Sequence, residues 1–322
     1  MAVKSPGRRL LINIFDKLLI VLIIPSALIL KLYRRLGSKD MNLSSLVLKK
    51  IGVFPIRNHY YEPLFKFSDD DKKLLVNRKL PGIKFNVNDQ LHFLENFIYK
   101  DELLEMDLNN PKNSMDFRFN NGSYESGDVE ALYQFIRYTK PKKIIEIGSG
   151  NSTKVASSAV KKNKEIDGIT TEHICVEPFE MPWLDSYENI NVIRKDIQSV
   201  DFDWSKELQE NDLLFVDSTH MIKPNGDVLD IYLKIFPLIK KGVNIHIHDI
   251  FSPNDYLEEW LIDDVRFWNE QYLVEAILSN SNSFEVLLSL NHLWHTNPNE
   301  VKRVCPYIDD KREPGSLYLR KI

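Results

Sequence analysis

Residues 142–153, with the sequence KKIIEIGSGNST, constrain the fold more than any other part of the chain. Their isoleucines form a short β-branched apolar run, which is typical of a strand buried on both faces. Gly148 and Gly150 follow directly, and Ser152 and Thr153 then favour the start of a helix. The order strand, glycine turn and helix predicts a loop whose free backbone N–H groups bind a polar or anionic ligand.

The chain of 322 residues is long enough for one sizeable core and an additional region. Its formal net charge of −4 gives no general attraction to nucleic acid, so we expect no nucleic-acid partner. The two cysteines argue against a disulfide scaffold and fit a reducing compartment.

An apolar segment at residues 10–33 precedes the predicted domain. Its uncharged core, residues 18–30, has thirteen residues, fewer than the roughly 20 that a spanning helix needs. Basic residues flank both ends, and Pro25 inside the segment favours a bend. The pattern FDKLLIVLIIPSALILKLYRRLG resembles the re-entrant helix of bacterial monotopic phosphoglycosyl transferases. We therefore expect residues 1–40 to attach to the cytoplasmic face of a membrane by a re-entrant or in-plane helix; a single span and a buried soluble helix are the alternatives.

Residues 41–125 read as a mixed N-terminal extension. They include the aromatic segment IGVFPIRNHYYEPLF, which carries His59, Tyr60 and Glu62. These polar side chains either form a wall on the substrate side of the site or pack as structural cover.

From residue 126 to the end, predicted strands and helices alternate. Such alternation builds an α/β fold with a doubly wound, mostly parallel sheet, here of seven strands. After the first strand, the predicted strands are residues 174–177, 191–194, 212–217, 243–250, 284–290 and 317–320. The last two are expected to pair antiparallel at one edge, joined without a full helix.

Acidic residues follow each of the first five predicted strands, at the edge where ligands bind in such sheets. Together with the Glu-x-Gly-x-Gly loop, the segments RKD, FVDSTH and HIHD resemble the motifs of class I S-adenosylmethionine (SAM) methyltransferases. The resemblance covers roughly residues 127–290 and implies SAM binding, with Glu177 on the ribose and Asp196 with Ile197 at the adenine. The residues it assigns to the cofactor are Glu146, Gly148, Ser149, Gly150, Asn151, Glu177, Asp196, Ile197 and Asp217.

Two longer segments, GVNIHIHDIFSP and RFWNEQYLVEAIL, are similar to a bacterial methyltransferase group associated with polysaccharide and secondary-metabolite pathways. This resemblance implies an oxygen acceptor on a small or glycan-like molecule. In the second segment, Glu270 and Tyr272 are candidates to face that acceptor, although their helical spacing also fits a core role.

Transfer of a methyl group to a hydroxyl needs a base or a metal ion. We expect Asp217, His220, His248 and Asp249 to converge on the acceptor, because they follow neighbouring strands. Asp217, Asp249 and His220 are the candidate ligands for Mg²⁺ or a similar ion. His246 alternates with Ile245 and Ile247, and we expect a structural histidine that points away from the face of His248.

The sequence thus predicts a SAM-dependent O-methyltransferase that acts on a cell-envelope glycan, a lipid-linked saccharide or a related small molecule. A nicotinamide oxidoreductase is an alternative, but Thr153 occupies the position of the third glycine in its fingerprint. An inactive membrane-bound scaffold is a second alternative, which the acids at all five strand ends disfavour.

Overall fold

The computed structural model describes residues 6–64, 73, 75–111, 113 and 115–322. Its contacts divide the chain into two compact units, Met1–Asp70 and Asp71–Ile322. The sequence predicts a domain boundary after residue 125, whereas the second unit already begins at Asp71. The reason is that Leu94, Phe97 and Leu103 are buried in the same core as the sheet.

The first unit contains two helices, α1 (Pro6–Leu36) and α2 (Asn42–Ile51). α1 has 31 residues, is about 46 Å long and continues without interruption through Pro25. Within the described residues, α1 is the helix that is long and apolar enough to cross a membrane, with a mean hydropathy of 2.1 over its most apolar window of 18 residues. Whether it spans or re-enters the membrane stays a prediction.

The second unit is built around a seven-stranded sheet with the order β3-β2-β1-β4-β5-β7-β6. The first five strands are parallel, and β7 is antiparallel to both β5 and β6. This architecture confirms the predicted doubly wound fold. The strands are β1 (Lys143–Ile147), β2 (Glu172–Val176), β3 (Ile190–Ile193), β4 (Leu213–Val216), β5 (Asn244–Ile247), β6 (Phe284–Ser289) and β7 (Leu317–Lys321).

Helices pack on both faces of the sheet, so that side chains alternate between two cores. On β1, Ile144 belongs to one core, and Ile145 and Ile147 belong to the other. The helices of this unit are α3 (Val87–Leu94), α4 (Lys100–Glu105), α5 (Asp128–Thr139), α6 (Asn151–Asp167), α7 (Trp204–Glu207), α8 (residues 227–238, with a π-helical turn at Ile231–Ile235), α9 (Glu270–Asn280), α10 (Leu290–Thr296) and α11 (Pro298–Val304). Shorter 3₁₀ turns lie at Leu184–Ser186 and Ile197–Ser199, and a π turn at Glu259–Asp263.

The connection between β6 and β7 differs from the sequence prediction. The pair is antiparallel, as expected, but α10 and α11 join the two strands. The inner faces of these helices are buried, as shown by Leu290, Leu293 and Val301. Each helix has only seven residues, too few to give a clear helical period in the sequence.

The strand order reverses at β1, which pairs with β2 on one side and with β4 on the other. Such a switch point leaves a crevice beyond the carboxyl ends of the strands, where ligands bind in open α/β sheets. The carboxyl ends of β1, β2, β4 and β5 therefore define the region in which the predicted site residues can meet.

Candidate functional site

A cleft of about 470 Å³ opens beyond the carboxyl ends of β1, β2 and β4. This volume lies within the usual range of small-molecule sites. Five of the predicted cofactor residues line it, together with the exposed ring of Phe179. The five are Gly148, Glu177, Asp196, Ile197 and Asp217.

Glu177 follows β2 directly, and backbone N–H groups hold its carboxylate in place. The N–H of Ser149 donates to Oε2 at 3.0 Å, and the N–H of Phe179 donates to Oε1 at 2.9 Å. A carboxylate has about four acceptor positions, so both oxygens can accept further bonds from hydroxyl groups in the cleft. The loop after β1 thus orients the acid that follows β2.

Gly148 occupies a position that no other residue can take without moving the backbone. Its φ is +85°, in the left-handed region, and a Cβ would lie 2.0 Å from the carbonyl oxygen of Asp217. The turn after β1 therefore passes tightly against the end of β4. This close approach places the glycine loop and Asp217 on the same wall of the cleft.

Four predicted cofactor residues do not line the cleft. They are Glu146, Ser149, Gly150 and Asn151. Glu146 was expected beside the loop, but it is 1% exposed and hydrogen-bonds to His173 Nε2 at 2.7 Å. It also accepts a hydrogen bond of 2.6 Å from Thr153 Oγ1, so this carboxylate stabilises the first turn of α6. Asn151 Nδ2 donates to Ser123 Oγ at 3.0 Å, outside the cleft lining.

His220 lies beside the cleft, and carboxylates face both of its ring nitrogens. Nδ1 lies 2.8 Å from Glu270 Oε2, while Nε2 is 3.3 Å from Asp217 Oδ1 and 3.4 Å from Asp249 Oδ2. Glu270 is fully buried, and the hydroxyls of Ser218 and Tyr232 donate to its other oxygen. Glu270, the first residue of α9, thereby fixes the orientation of the His220 ring.

His248 completes the cluster from the end of β5. Its Nδ1 is 3.5 Å from Asp217 Oδ1 and 3.6 Å from Asp249 Oδ1, and its Nε2 is 3.6 Å from Asp128 Oδ2. The structure therefore brings together Asp217, His220, His248 and Asp249, as their positions after neighbouring strands predicted. His220 and Asp249 both have a φ of +58°, and such strained backbone clusters at functional sites.

The charges of the cluster are mutually dependent. Burial alone lowers the pKa of His220, but Asp217, Glu270 and Asp249 overcome that effect and raise this pKa to about 10. In the same way, Asp249 and Asp217 outweigh burial and raise the pKa of His248 well above its usual value. Burial raises the pKa of Asp217, yet the two histidines hold it well below its usual range. The carboxylates thus favour the protonated form of both histidines, whereas burial raises the pKa of Asp249.

The donor set also fits a divalent cation. Asp217, His248 and Asp249 each offer one ligand atom, and these atoms lie within 4.8 Å of one another. His248 Nδ1 is buried and has no hydrogen-bond partner among the described residues. Two carboxylate oxygens and one imidazole nitrogen suit Mg²⁺ or a transition metal. His248, rather than the predicted His220, supplies the nitrogen of this set.

His246 is a structural histidine, but not for the geometric reason that the sequence suggested. Residues two apart in a strand share a face, so His246 and His248 lie on the same side of β5. His246 sits deeper, where it stacks on Tyr318 at 4.1 Å and bonds to Ser316 Oγ at 2.8 Å. Burial and the neighbouring His248 lower its pKa well below the usual value.

Asp128 was missed as a site residue. It is the first residue of α5, and Gly127 precedes it. Its carboxylate accepts bonds of 3.0 and 3.1 Å from the Gly315 N–H and faces His248. The ring of Tyr124 lies 4.8 Å from that of His248.

The remaining candidates occupy different places. Glu270 belongs to the cluster, whereas the Tyr272 hydroxyl donates to Asp255 Oδ1 at 2.6 Å, away from it. The other three, His59, Tyr60 and Glu62, lie in the first unit. Glu62 is paired there with Arg34 and Arg57, each at 2.8 Å, and Tyr60 is 82% exposed. A role on the substrate side stays a prediction for the latter three.

One family model and several known proteins are similar to parts of this chain. Residues 145–250 match the family model of a methyltransferase domain. An uncharacterized protein of Archaeoglobus fulgidus is 28% identical over 171 residues, which are 49% of this chain and 75% of that protein.

Two solved structures are similar at low identity. The O-methyltransferase TomG from Streptomyces achromogenes, in complex with SAM, is 10% identical, covering 78% of this chain and 94% of its own, with a TM-score of 0.39. An O-methyltransferase from Bacillus cereus, in complex with SAH, is 11% identical and covers 79% and 98%, with a TM-score of 0.37. The family match and the strand order confirm the resemblance of this chain to the class I SAM-dependent methyltransferases.

Proposed function

We propose that this chain is a SAM-dependent O-methyltransferase. The single observation that carries the proposal is the arrangement of Asp217, His220, His248 and Asp249 next to a cleft that Gly148 and Glu177 line. Asp217 thus belongs both to the cleft that would bind the methyl donor and to the cluster that would accept the proton. Such an arrangement suits transfer between two bound molecules, because positioning supplies much of the rate in these reactions.

SAM is the donor that the cleft fits. Glu177 would accept the ribose hydroxyls, while Asp196 and Ile197 would meet the edge and the face of the adenine. The glycine loop would let the amino-acid end of the cofactor approach the backbone closely. Bound SAM supplies an activated methyl group; the protein must orient the acceptor and remove its proton.

Two roles are open to the histidine cluster. In the first, His220 Nε2 or His248 Nδ1 takes the proton of the acceptor hydroxyl. Because the surrounding carboxylates favour imidazolium, this role requires the molecules in which the ring is neutral before the reaction. In the second, Asp217, Asp249 and His248 would hold a divalent cation, which would supply Lewis-acid chemistry for the acceptor hydroxyl. The unpartnered Nδ1 of His248 favours the second role.

Chelation separates these roles. If the cluster acts as a base, methyl transfer survives EDTA and is lost in His220→Ala or His248→Ala. If it holds a metal, EDTA abolishes transfer and added Mg²⁺ or Mn²⁺ restores it. Full activity in both histidine variants would reject the cluster as the catalytic centre.

The proposed acceptor is a hydroxyl on a cell-envelope glycan, a lipid-linked saccharide or a related small molecule of a bacterial cell. Its support is the sequence similarity of residues 242–253 and 266–278 to the polysaccharide-associated group, together with an apolar α1 that would hold the enzyme at the cytoplasmic face of the membrane. Mass spectrometry of envelope glycans from cells with and without the gene tests it. In cells without the gene, one saccharide should be lighter by roughly 14 Da, the mass of the CH₂ that replacing a hydrogen by a methyl group adds. Unchanged glycans would contradict this acceptor class.

A further inference from the structure

The short helix α2 presents an apolar face that no described residue of the first unit covers. Its members recur at helical spacing on one side of the helix. They are Leu43, Leu46, Val47 and Ile51, with exposures of 81%, 65%, 54% and 69%. At ten residues, α2 is only about 15 Å long and cannot cross a bilayer. A continuous exposed apolar surface of this kind marks a site of interaction.

Polar contacts hold α2 to the end of α1. The hydroxyls of Tyr33 and Ser45 are 2.5 Å apart, and Ser45 Oγ donates to the Ser38 carbonyl at 2.6 Å. Tyr33 and Ser45 are both buried. Between the two helices lies an apolar groove of about 440 Å³, which Ile29 and Val47 help to line. The uncovered face of α2 is therefore continuous with the apolar surface of α1.

The charge around this surface is strongly positive. Residues 31–50 contain six basic residues and one acidic residue. Of the six, Arg34 is paired with Glu62, and Lys49 and Lys50 are exposed on α2. A basic segment beside an apolar face complements the anionic headgroups of a cytoplasmic leaflet. An aqueous protein partner would not account for the continuity with α1, whose most apolar stretch is wholly unburied.

We propose that α2 is an interfacial membrane helix that binds an anionic lipid surface. Its apolar face lies at the boundary between headgroups and acyl chains, and Lys49 lies among the headgroups. The inference rests on the membrane attachment through α1 proposed above, and adds to it a second contact and a preference for anionic lipid.

Site-directed labelling of the full-length protein in vesicles tests the proposal. A polarity-sensitive fluorophore is attached to Val47→Cys or to Lys49→Cys, which lie about 200° apart around α2. Ile23→Cys reports on α1 in the same way. The natural cysteines, Cys175 and Cys305, are buried, and the unsubstituted protein gives the labelling background. Vesicles contain brominated phosphatidylcholine, alone or mixed with an equal amount of phosphatidylglycerol.

We expect a blue-shifted emission and quenching by the brominated chains at position 47, and neither effect at position 49. Quenching at position 47 should be stronger with phosphatidylglycerol, and Lys49→Gln with Lys50→Gln should remove that difference. If position 23 is quenched and position 47 is not, α1 enters the membrane and the role of α2 is refuted. If neither is quenched, the membrane attachment itself fails.

A second copy of the chain is the competing occupant of the α2 face. Energy transfer between differently labelled Val47→Cys molecules, without quenching by the brominated lipid, would assign the face to that contact and overturn the proposal.

Discussion

Replacing Gly148 by alanine should perturb the site through its backbone. Two costs act at this position. Alanine at a φ of +85° costs about 1–2 kcal/mol, because its Cβ meets the following carbonyl. The new Cβ would also lie 2.0 Å from the Asp217 carbonyl oxygen, and relieving an overpacked contact costs about 1–3 kcal/mol more. Gly148→Ala should therefore destabilise the second unit by about 2–5 kcal/mol.

Two other glycines of the chain separate these costs. Gly168, at the end of α6, has a φ of +69° with open space around a Cβ, so Gly168→Ala should lose only about 1 kcal/mol. Gly150 has extended backbone and open space as well. Gly150→Ala should cost less than about 1 kcal/mol, through weaker capping of α6.

Denaturant unfolding of the full-length protein in detergent measures the series. All five tryptophans lie at residue 183 or beyond, so their fluorescence reports on the second unit. The expected order of destabilisation is Gly148→Ala, then Gly168→Ala, then Gly150→Ala. A Gly148→Ala protein as stable as Gly168→Ala would show that the loop moves away freely, and would refute the argument that β1 and β4 are locked together there.

Three further predictions concern single side chains. Glu177→Ala should weaken SAM binding by about 1.5–3 kcal/mol, or roughly tenfold to a hundredfold, in a protein that stays folded; unchanged affinity would remove Glu177 from the cofactor site. Burial raises the pKa of Glu102, but its bonds to Arg137 and Tyr133 lower it overall. The stability that the Glu102–Arg137 ion pair contributes is thus present above the unfolded pKa of about 4.3, and it is lost as the pH falls through the lower folded pKa. Unfolding of Glu102→Gln and of the parent should differ by about 1–2 kcal/mol at pH 7 and converge in acid, and a difference independent of pH would contradict the pairing. Finally, a cysteine at Ala2, which lies outside the described residues, should be closed to an impermeant thiol reagent in intact cells if α1 re-enters the cytoplasmic leaflet; labelling from outside would show that α1 spans the membrane.

The sequence predicted the sheet and much of the site because the determining signals are local. The β-branched runs mark strands buried on both faces, and Gly148 marks the turn that follows the first of them. The convergence of Asp217 and His220 with Asp249 then follows from topology, since β4 and β5 are parallel neighbours whose carboxyl ends meet.

The sequence could not predict features that depend on distant partners. Glu146 turns away from the cleft because His173 on β2 and Thr153 on α6 bind its carboxylate. Asp128 reaches His248 only because α5 packs across the sheet, and the two residues are far apart in the chain. No local pattern encodes either contact.

Calorimetric titration of the full-length protein with SAM and, separately, with NAD tests the central claim most directly. A site made by the Gly148 loop and Glu177, without a third glycine, should bind SAM saturably with one molecule per chain and should give no binding heat with NAD. Binding of NAD without binding of SAM would contradict the assignment and would make the cleft a nicotinamide site.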